Sequence, residues 1–301
     1  MRSRRLRLIM SLLVVAVALV GTLPAPVLGQ ELTASRVRVT LTSLWVKPSP
    51  DPTGLAYHRG QRQLLVVDSE VEETRRWAGA NIWRVRLGGR VSRSWSLMRF
   101  TREPTDIAFK DRRILFISDD NEDRVFRVQR GPDKIWGTRD DAITSFPTRP
   151  FGSRDPEGLE VALGSVWVAD GESARIYRVR PGRDGRFNGA PPVGDDVVTS
   201  FDTLGLGLRD PEDLVYDGAT GLLYLVSAKD DVIVRTTRAG VLVDTIDLSP
   251  FGLIAPAGIT LAPGSRDRSV RNVYISDRGI DNGPDPNEND GRIFEFALTA
   301  A

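Results

Sequence analysis

A block of about fifty residues recurs five times along this chain, and that period constrains the fold more tightly than any other feature of the sequence. Each copy opens on Pro-x-Gly or Pro-x-Asp: DPTGLAY from Asp51, EPTDIAF from Glu103, DPEGLEV from Asp155, DPEDLVY from Asp210 and APAGITL from Ala255. A second apolar run follows in each (QLLVVDS, RILFISDD, SVWVADG, LLYLVSA, NVYISDR), then a third (NIWRV, RVFRV, RIYRV, VIVRT, RIFEF). The opening prolines Pro52, Pro104, Pro156, Pro211 and Pro256 lie 52, 52, 55 and 45 residues apart. Short β-branched and aromatic runs bounded by Gly, Pro and Asp are strand chemistry. No stretch after residue 30 carries a sustained helical period with a capping signal. VSRSWSL, AITSF, VVTSF and VLVDTI supply a fourth strand in the first four copies.

Four short strands per unit at this spacing predict an all-β chain folded as a β-propeller with five four-stranded blades. The fifth copy stops after its third strand, at Phe296, while an unassigned strand, RVRVTLTSLWV from Arg36 to Val46, precedes the first copy. That strand is predicted to complete the last blade, which ties the two ends of the chain together and removes an exposed sheet edge. Six blades remain open if it belongs to a degenerate blade of its own.

Residues 1–29 read as a signal peptide and 30–301 as a single propeller domain. Arg2, Arg4, Arg5 and Arg7 stand without an acid before a thirteen-residue apolar run, Leu8 to Val20, and Val27 and Gly29 suit a cut after Gly29. The run is short for a bilayer, which needs about 20 residues, although a retained anchor is the alternative. Cleavage lowers the formal charge from +1 to −3, leaving no basic surplus of the kind a nucleic-acid binder uses. The expected product is secreted or periplasmic, free of nucleic acid and membrane, and monomeric, with a dimer left open. Zero Cys excludes a disulfide scaffold, a thiolate metal site and a Cys nucleophile. The single histidine, His58, excludes multi-histidine zinc sites; in the first hairpin, on the face opposite the acidic loops, it reads as a surface or satisfied side chain.

Asp155-Pro156-Glu157-Gly158-Leu159, the repeated strand-Asp turns and the acidic loops resemble secreted and periplasmic propellers of the NHL-like superfamily, especially the SdiA-regulated branch. The chain is also similar to phytase-like and gluconolactonase-like propellers. The resemblance spans about residues 36 to 298. It implies the fold and a central calcium ion held by acidic and amide side chains near the start of the inner strands; it leaves function open, because propellers host binding modules and hydrolases alike.

In a propeller blade the start of the inner strand and the turn between its second and third strands lie on one face, so acids at both places converge. The opening motifs contribute Asp106, Glu157, Glu212 and Asp213, and the second turns contribute Asp68, Asp119, Asp170 and Asp277, with Ser227 in the fourth copy. Two carboxylates about 6 Å apart repel by roughly 3 kcal/mol at an effective dielectric of 20. Such a ring needs protonation, basic partners or a cation, and calcium with its 6 to 8 oxygen ligands fits better than zinc or magnesium. An Asp at a strand end also commonly bonds its own turn. Thr53, Thr105 and Ala257 replace the Glu in the other copies, so any ion site is centred on copies three and four.

Three loops have a cation-binding composition. GPDKIWGTRDDAITSF offers Asp133, Asp140 and Asp141, and GRDGRFNGAPPVGDDVVTSF offers Asp184, Asn188, Asp195 and Asp196; both are expected on the face opposite the acidic ring. DRGIDNGPDPNENDGRIF, on the acidic face, offers Asp281, Asn282, Asp285, Asn287, Asn289 and Asp290. None has the full EF-hand spacing. The extended loop of the first copy, SEVEETRRWAGAN, places Arg75, Arg76 and Trp77 on the acidic face, to contact a ligand or to form a solvated loop with one packed Trp.

The leading functional reading is a calcium-binding propeller that engages a small-molecule or protein ligand on its acidic face. The alternative is a calcium-dependent hydrolase of an ester, lactone or phosphate, with Glu157 or Glu212 as the base and Arg154, Arg209 and Lys229 near the mouth. No nucleophile elbow, phosphate loop or zinc-peptidase helix is present, so the sequence leaves open whether the chain is an enzyme.

Overall fold

A computed structural model describes residues 31–71, 75–77, 79–280 and 287–301, so the leader and the candidate ligands Asp281 and Asp285 lie outside the described residues. Twenty antiparallel strands form five four-stranded sheets in a ring, a five-bladed β-propeller. Blade one comprises β2 (Pro52–His58), β3 (Gln63–Asp68), β4 (Ile82–Arg86) and β5 (Val91–Trp95). Blade two comprises β6 (Pro104–Phe109), β7 (Ile114–Asp119), β8 (Arg124–Gln129) and β9 (Ala142–Pro147). Blade three comprises β10 (Pro156–Ala162), β11 (Ser165–Asp170), β12 (Arg175–Arg180) and β13 (Val197–Asp202). Blade four comprises β14 (Pro211–Asp217), β15 (Leu222–Ser227), β16 (Val232–Thr236) and β17 (Leu242–Asp247). In blade five β18 (Pro256–Pro263), β19 (Arg271–Asp277) and β20 (Arg292–Ala300) are joined by the amino-terminal β1 (Leu32–Leu41).

β1 pairs with β20 from Leu32↔Ala300 to Leu41↔Arg292, closing the ring. It begins and ends several residues earlier than Arg36–Val46. Leu32–Arg36 find partners along the end of β20, and beyond Leu41 the chain turns away, with Thr42 N–H donating to Gly291 O at 3.1 Å.

The core lies between blades rather than inside one. Five apolar clusters occupy the five blade interfaces, each fed by the facing sides of two neighbouring sheets. Two-sided burial explains why the middle strands read as continuous apolar runs such as Leu64–Val67 and Leu115–Ile117, all at 2% exposure or less. Each such Leu, Ile, Val or Phe contributes about 1.5–3 kcal/mol by leaving water. Glycines at positive φ, Gly152 (97°), Gly207 (85°) and Gly252 (68°), end short helical turns four residues before the prolines of blades three to five and deliver the chain to the channel.

Candidate cation and ligand site at the channel mouth

The inner strands start at one end of the central channel, and their opening motifs build it in layers. At the fourth position of each motif, Gly54, Asp106, Gly158, Asp213 and Gly258 alternate around the ring. A Cβ on Gly54 would lie 2.3 Å from Asp106 Oδ1, and one on Gly158 would lie 2.6 Å from Asp213 Oδ1, so the small residues make room for the acids beside them. Asp106 Oδ2 accepts the Leu159 N–H at 2.7 Å and Asp213 Oδ2 accepts the Ile259 N–H at 2.6 Å, each lacing its blade to the next. Both carboxyls are buried, and Asp106 Oδ1 has no hydrogen-bond partner among the described residues. Burial pushes Asp106 up to about 8, and burial together with the Asp106 charge holds Asp213 well above the carboxylate range. At about 8, Asp106 keeps its proton at neutral pH.

The strand-end acids are spent on their own blades. Asp170 accepts the N–H groups of Arg154 (2.9 Å), Asp155 (3.1 Å) and Ser173 (2.7 Å). Asp119 accepts Thr101 Oγ1–H (2.6 Å) and the Glu122 N–H, and Asp277 accepts the N–H groups of Ile254 and Ala255 and pairs with Arg292. Asp68 does the same with Ser49 Oγ–H, Asp51 N–H and Glu70 N–H. They act as brackets that hold the lead-in loop against the second turn.

The chain turns the next residue toward the mouth instead. That position holds Ser69, Asp120, Gly171, Ala228 and Arg278. Carboxylate oxygens of Asp120, Asp155 and Glu157 all lie within 4.8 Å of one another. Gly171 completes the cradle: a Cβ there would stand 2.9 Å from Asp155 Oδ2 and 2.7 Å from Asp210 Oδ1. Glu157 is half-buried, and its carboxylate accepts no hydrogen bond from any described residue. Buried Glu212 (4% exposed) lies beside it and meets Arg278 Nη2 at 3.5 Å, while Asp210 pairs with Lys229 at 2.9 Å.

The electrostatics follow from crowding. Burial, aided by neighbouring acids, raises Asp120 to about 6 and also raises Asp155. Burial and the Glu212 charge hold Glu157 well above its ordinary value; Glu212 itself, raised by burial and restrained by Arg278, reaches about 7. On the far side of Arg278, buried Asp51 is raised to about 9 by burial and by Asp68, and its Oδ1 has no hydrogen-bond partner. The mouth thus carries more acid than Arg278 and Lys229 balance. Asp120 and Arg278 were invisible to a reading that stopped at the strand Asp; the signal was the doubled acid in ISDD and the SDR tripeptide one register further on.

The two inserted loops lie on the opposite face, between third and fourth strands. In the first, Asp133, Asp140 and Asp141 also bring oxygens within 4.8 Å, but N–H donors already hold them: Asp141 accepts from Gly131 and Gly137 at 2.6 Å each, Asp140 from Asp133, and Asp133 from Ile135. In the second, the Asn188 amide donates to Asp184 (3.0 Å) and Asp195 (3.2 Å), and Asp196 accepts the N–H groups of Asn188 and Gly189. Trp136 and Phe187 plug these loops into neighbouring blade interfaces. Within the third loop's described part, Asn287 accepts from Arg76 Nη1 at 3.3 Å, Asp290 accepts the Ile280 N–H, and Asn289 is half-buried. His58 is buried rather than exposed: Nδ1 accepts the Gln61 N–H, and the ring stands edge-on to Phe109 and Trp136. Burial, with the charges of Arg130 and Arg84, lowers its pKa.

No protein-family model matches the chain, and no curated protein matches it. Among solved structures it is similar to the glutaminyl cyclase of Myxococcus xanthus, at 14% identity over 90% of this chain and 98% of that one, with a TM-score of 0.53. A luciferin-regenerating enzyme matches at 12% identity over 86% and 95%, TM-score 0.53. The PQQ-bound aldose sugar dehydrogenase of Streptomyces coelicolor matches at 14% over 91% and 100%, TM-score 0.50. At these identities the likeness shows the propeller fold alone.

Proposed function

We propose that this chain is an exported calcium-binding propeller, allied to the NHL-like, SdiA-regulated type, whose acidic channel mouth binds a ligand or partner through the ion. The observation that carries this reading is the nest of Asp120, Asp155 and Glu157, with the Glu157 carboxylate left without a donor. The donor set is all oxygen, which suits a hard cation and not zinc. Three carboxylates leave part of a 6 to 8 oxygen shell for water or a ligand. Bound calcium would supply positive charge and open coordination positions. The chain's own residues shape what arrives: Gly171 keeps the cradle open, Arg278 holds Glu212 aside, and Lys229 holds Asp210.

Calorimetric titration of calcium into chelator-treated protein tests this. One site is expected in the wild type, and Asp120→Asn/Glu157→Gln should abolish it; a site that survives both changes overturns the assignment.

A hydrolase reading has one observation in its favour: Glu212 titrates near 7, where a carboxyl can both take and give a proton. Turnover of lactone, aryl-ester or phosphate substrates that drops about 100-fold or more in Glu212→Gln would support it. Unchanged turnover in that variant removes Glu212 as the base.

A further inference from the structure

The opposite end of the channel has a different chemistry. A cavity of 610 Å³ opens there, lined by the second halves of all five inner strands and the turns that follow them. That volume lies in the range of small-molecule sites. Its floor is the ring Leu55, Ile107, Leu159, Leu214 and Ile259, each at most 3% exposed, which separates it from the Asp106–Asp213 pair. Tyr57, Phe109 and Tyr216, all half-buried, form aromatic walls. Neither phenol has a hydrogen-bond partner among the described residues.

The rim is cationic. Arg59, Lys110 and Arg112 are exposed on the turns of blades one and two, and none forms a salt bridge or side-chain hydrogen bond with a described residue. Arg112 reaches across the blade boundary to the turn that carries Arg59: a Cβ on Gly60 would lie 3.3 Å from its Nε. Arg271, on the far rim, is already paired with Asp217 at 2.6 Å. Two acids line the cavity, each already engaged: Glu160 Oε2 accepts the Tyr216 N–H at 3.0 Å and feels the Arg59 charge, and Asp111 Oδ1 on the rim accepts the Arg113 and Ile114 N–H groups. Guanidinium groups on adjacent turns with uncommitted donors suit a planar anionic group, and the aromatic walls suit a flat apolar body.

We propose that this cavity is a binding site for a small aryl anion, with the anionic head at Arg59 and Arg112 and the ring between Tyr57, Phe109 and Tyr216. The site is independent of the acidic mouth and carries the opposite charge preference.

Calorimetric titration with naphthalene-2-sulfonate, and with the uncharged naphthalene-2-sulfonamide, tests the proposal on the intact protein. One saturable site is expected, with the sulfonamide about tenfold weaker or worse. Arg59→Glu/Arg112→Glu should weaken the sulfonate by about tenfold or more, and the milder Arg59→Gln/Arg112→Gln should do so in part, with melting temperatures confirming that both are folded. Glu157→Gln/Glu212→Gln should leave the affinity unchanged, so failure at the mouth and failure here are read separately. No binding, equal binding of the sulfonamide, or full affinity in the charge-reversed variant overturns it.

Discussion

Asp106 and Asp213 are buried carboxyls held above the ordinary carboxylate range. Asp106 has a folded-state pKa near 8 against an ordinary 3.8, so the folded state binds the extra proton across that interval. Its proton-linked contribution to stability is full below about pH 3.8 and is lost as pH rises toward 8. Asp106→Asn keeps an oxygen for the Leu159 N–H and mimics the protonated acid. Thermal melts should show it more stable than wild type at pH 8, by about 1–3 kcal/mol, with little difference at pH 5. Equal shifts at both pH values would show that the pair carries no extra proton. The Pro-x-Gly/Asp motif was readable in the sequence, yet the reason for its alternation was not, because it depends on which blades become neighbours. The same limit applies at the second turns. Strand alternation sends Asp119 and Asp277 into the blade and turns Asp120 and Arg278 to the channel, a one-residue difference that repeat matching does not resolve.

At the level of elements, each blade is fastened at the mouth by a carboxylate that collects backbone N–H groups from a loop distant in sequence. Asp170 is the clearest case, fully buried with three N–H donors. Asp170→Ala should cost roughly 1–3 kcal/mol for each donor left without a partner, read as a lower denaturation midpoint. Because two of those donors belong to Arg154 and Asp155, calcium affinity should fall as well, although the changed residue touches no ion. A variant as stable as wild type would show that water replaces the bracket without cost. Strand positions and blade closure were legible because two-sided burial writes long apolar runs and turns write Gly, Pro and Asp. The inserted loops were less so: their acids have a cation-loop composition, while the fold shows them tied by their own N–H groups and anchored by Trp136 and Phe187.

Across the whole molecule the channel is polarised. One mouth gathers Asp120, Asp155, Glu157, Asp210 and Glu212 around Arg278 and Lys229, the buried Asp106 and Asp213 and an apolar ring close the middle, and the far end presents Arg59, Lys110 and Arg112. The ring shape makes this possible, because five inner strands run the same way and every motif position becomes a layer. Among the described residues no helix is long and apolar enough to cross a membrane. An anomalous difference map from crystals grown with calcium tests most directly whether the acidic mouth is a cation site. A peak is expected about 2.3–2.6 Å from oxygens of Asp120, Asp155 and Glu157. A map with no peak at the mouth, or with peaks confined to the Asp133–Asp141 loop, would contradict it.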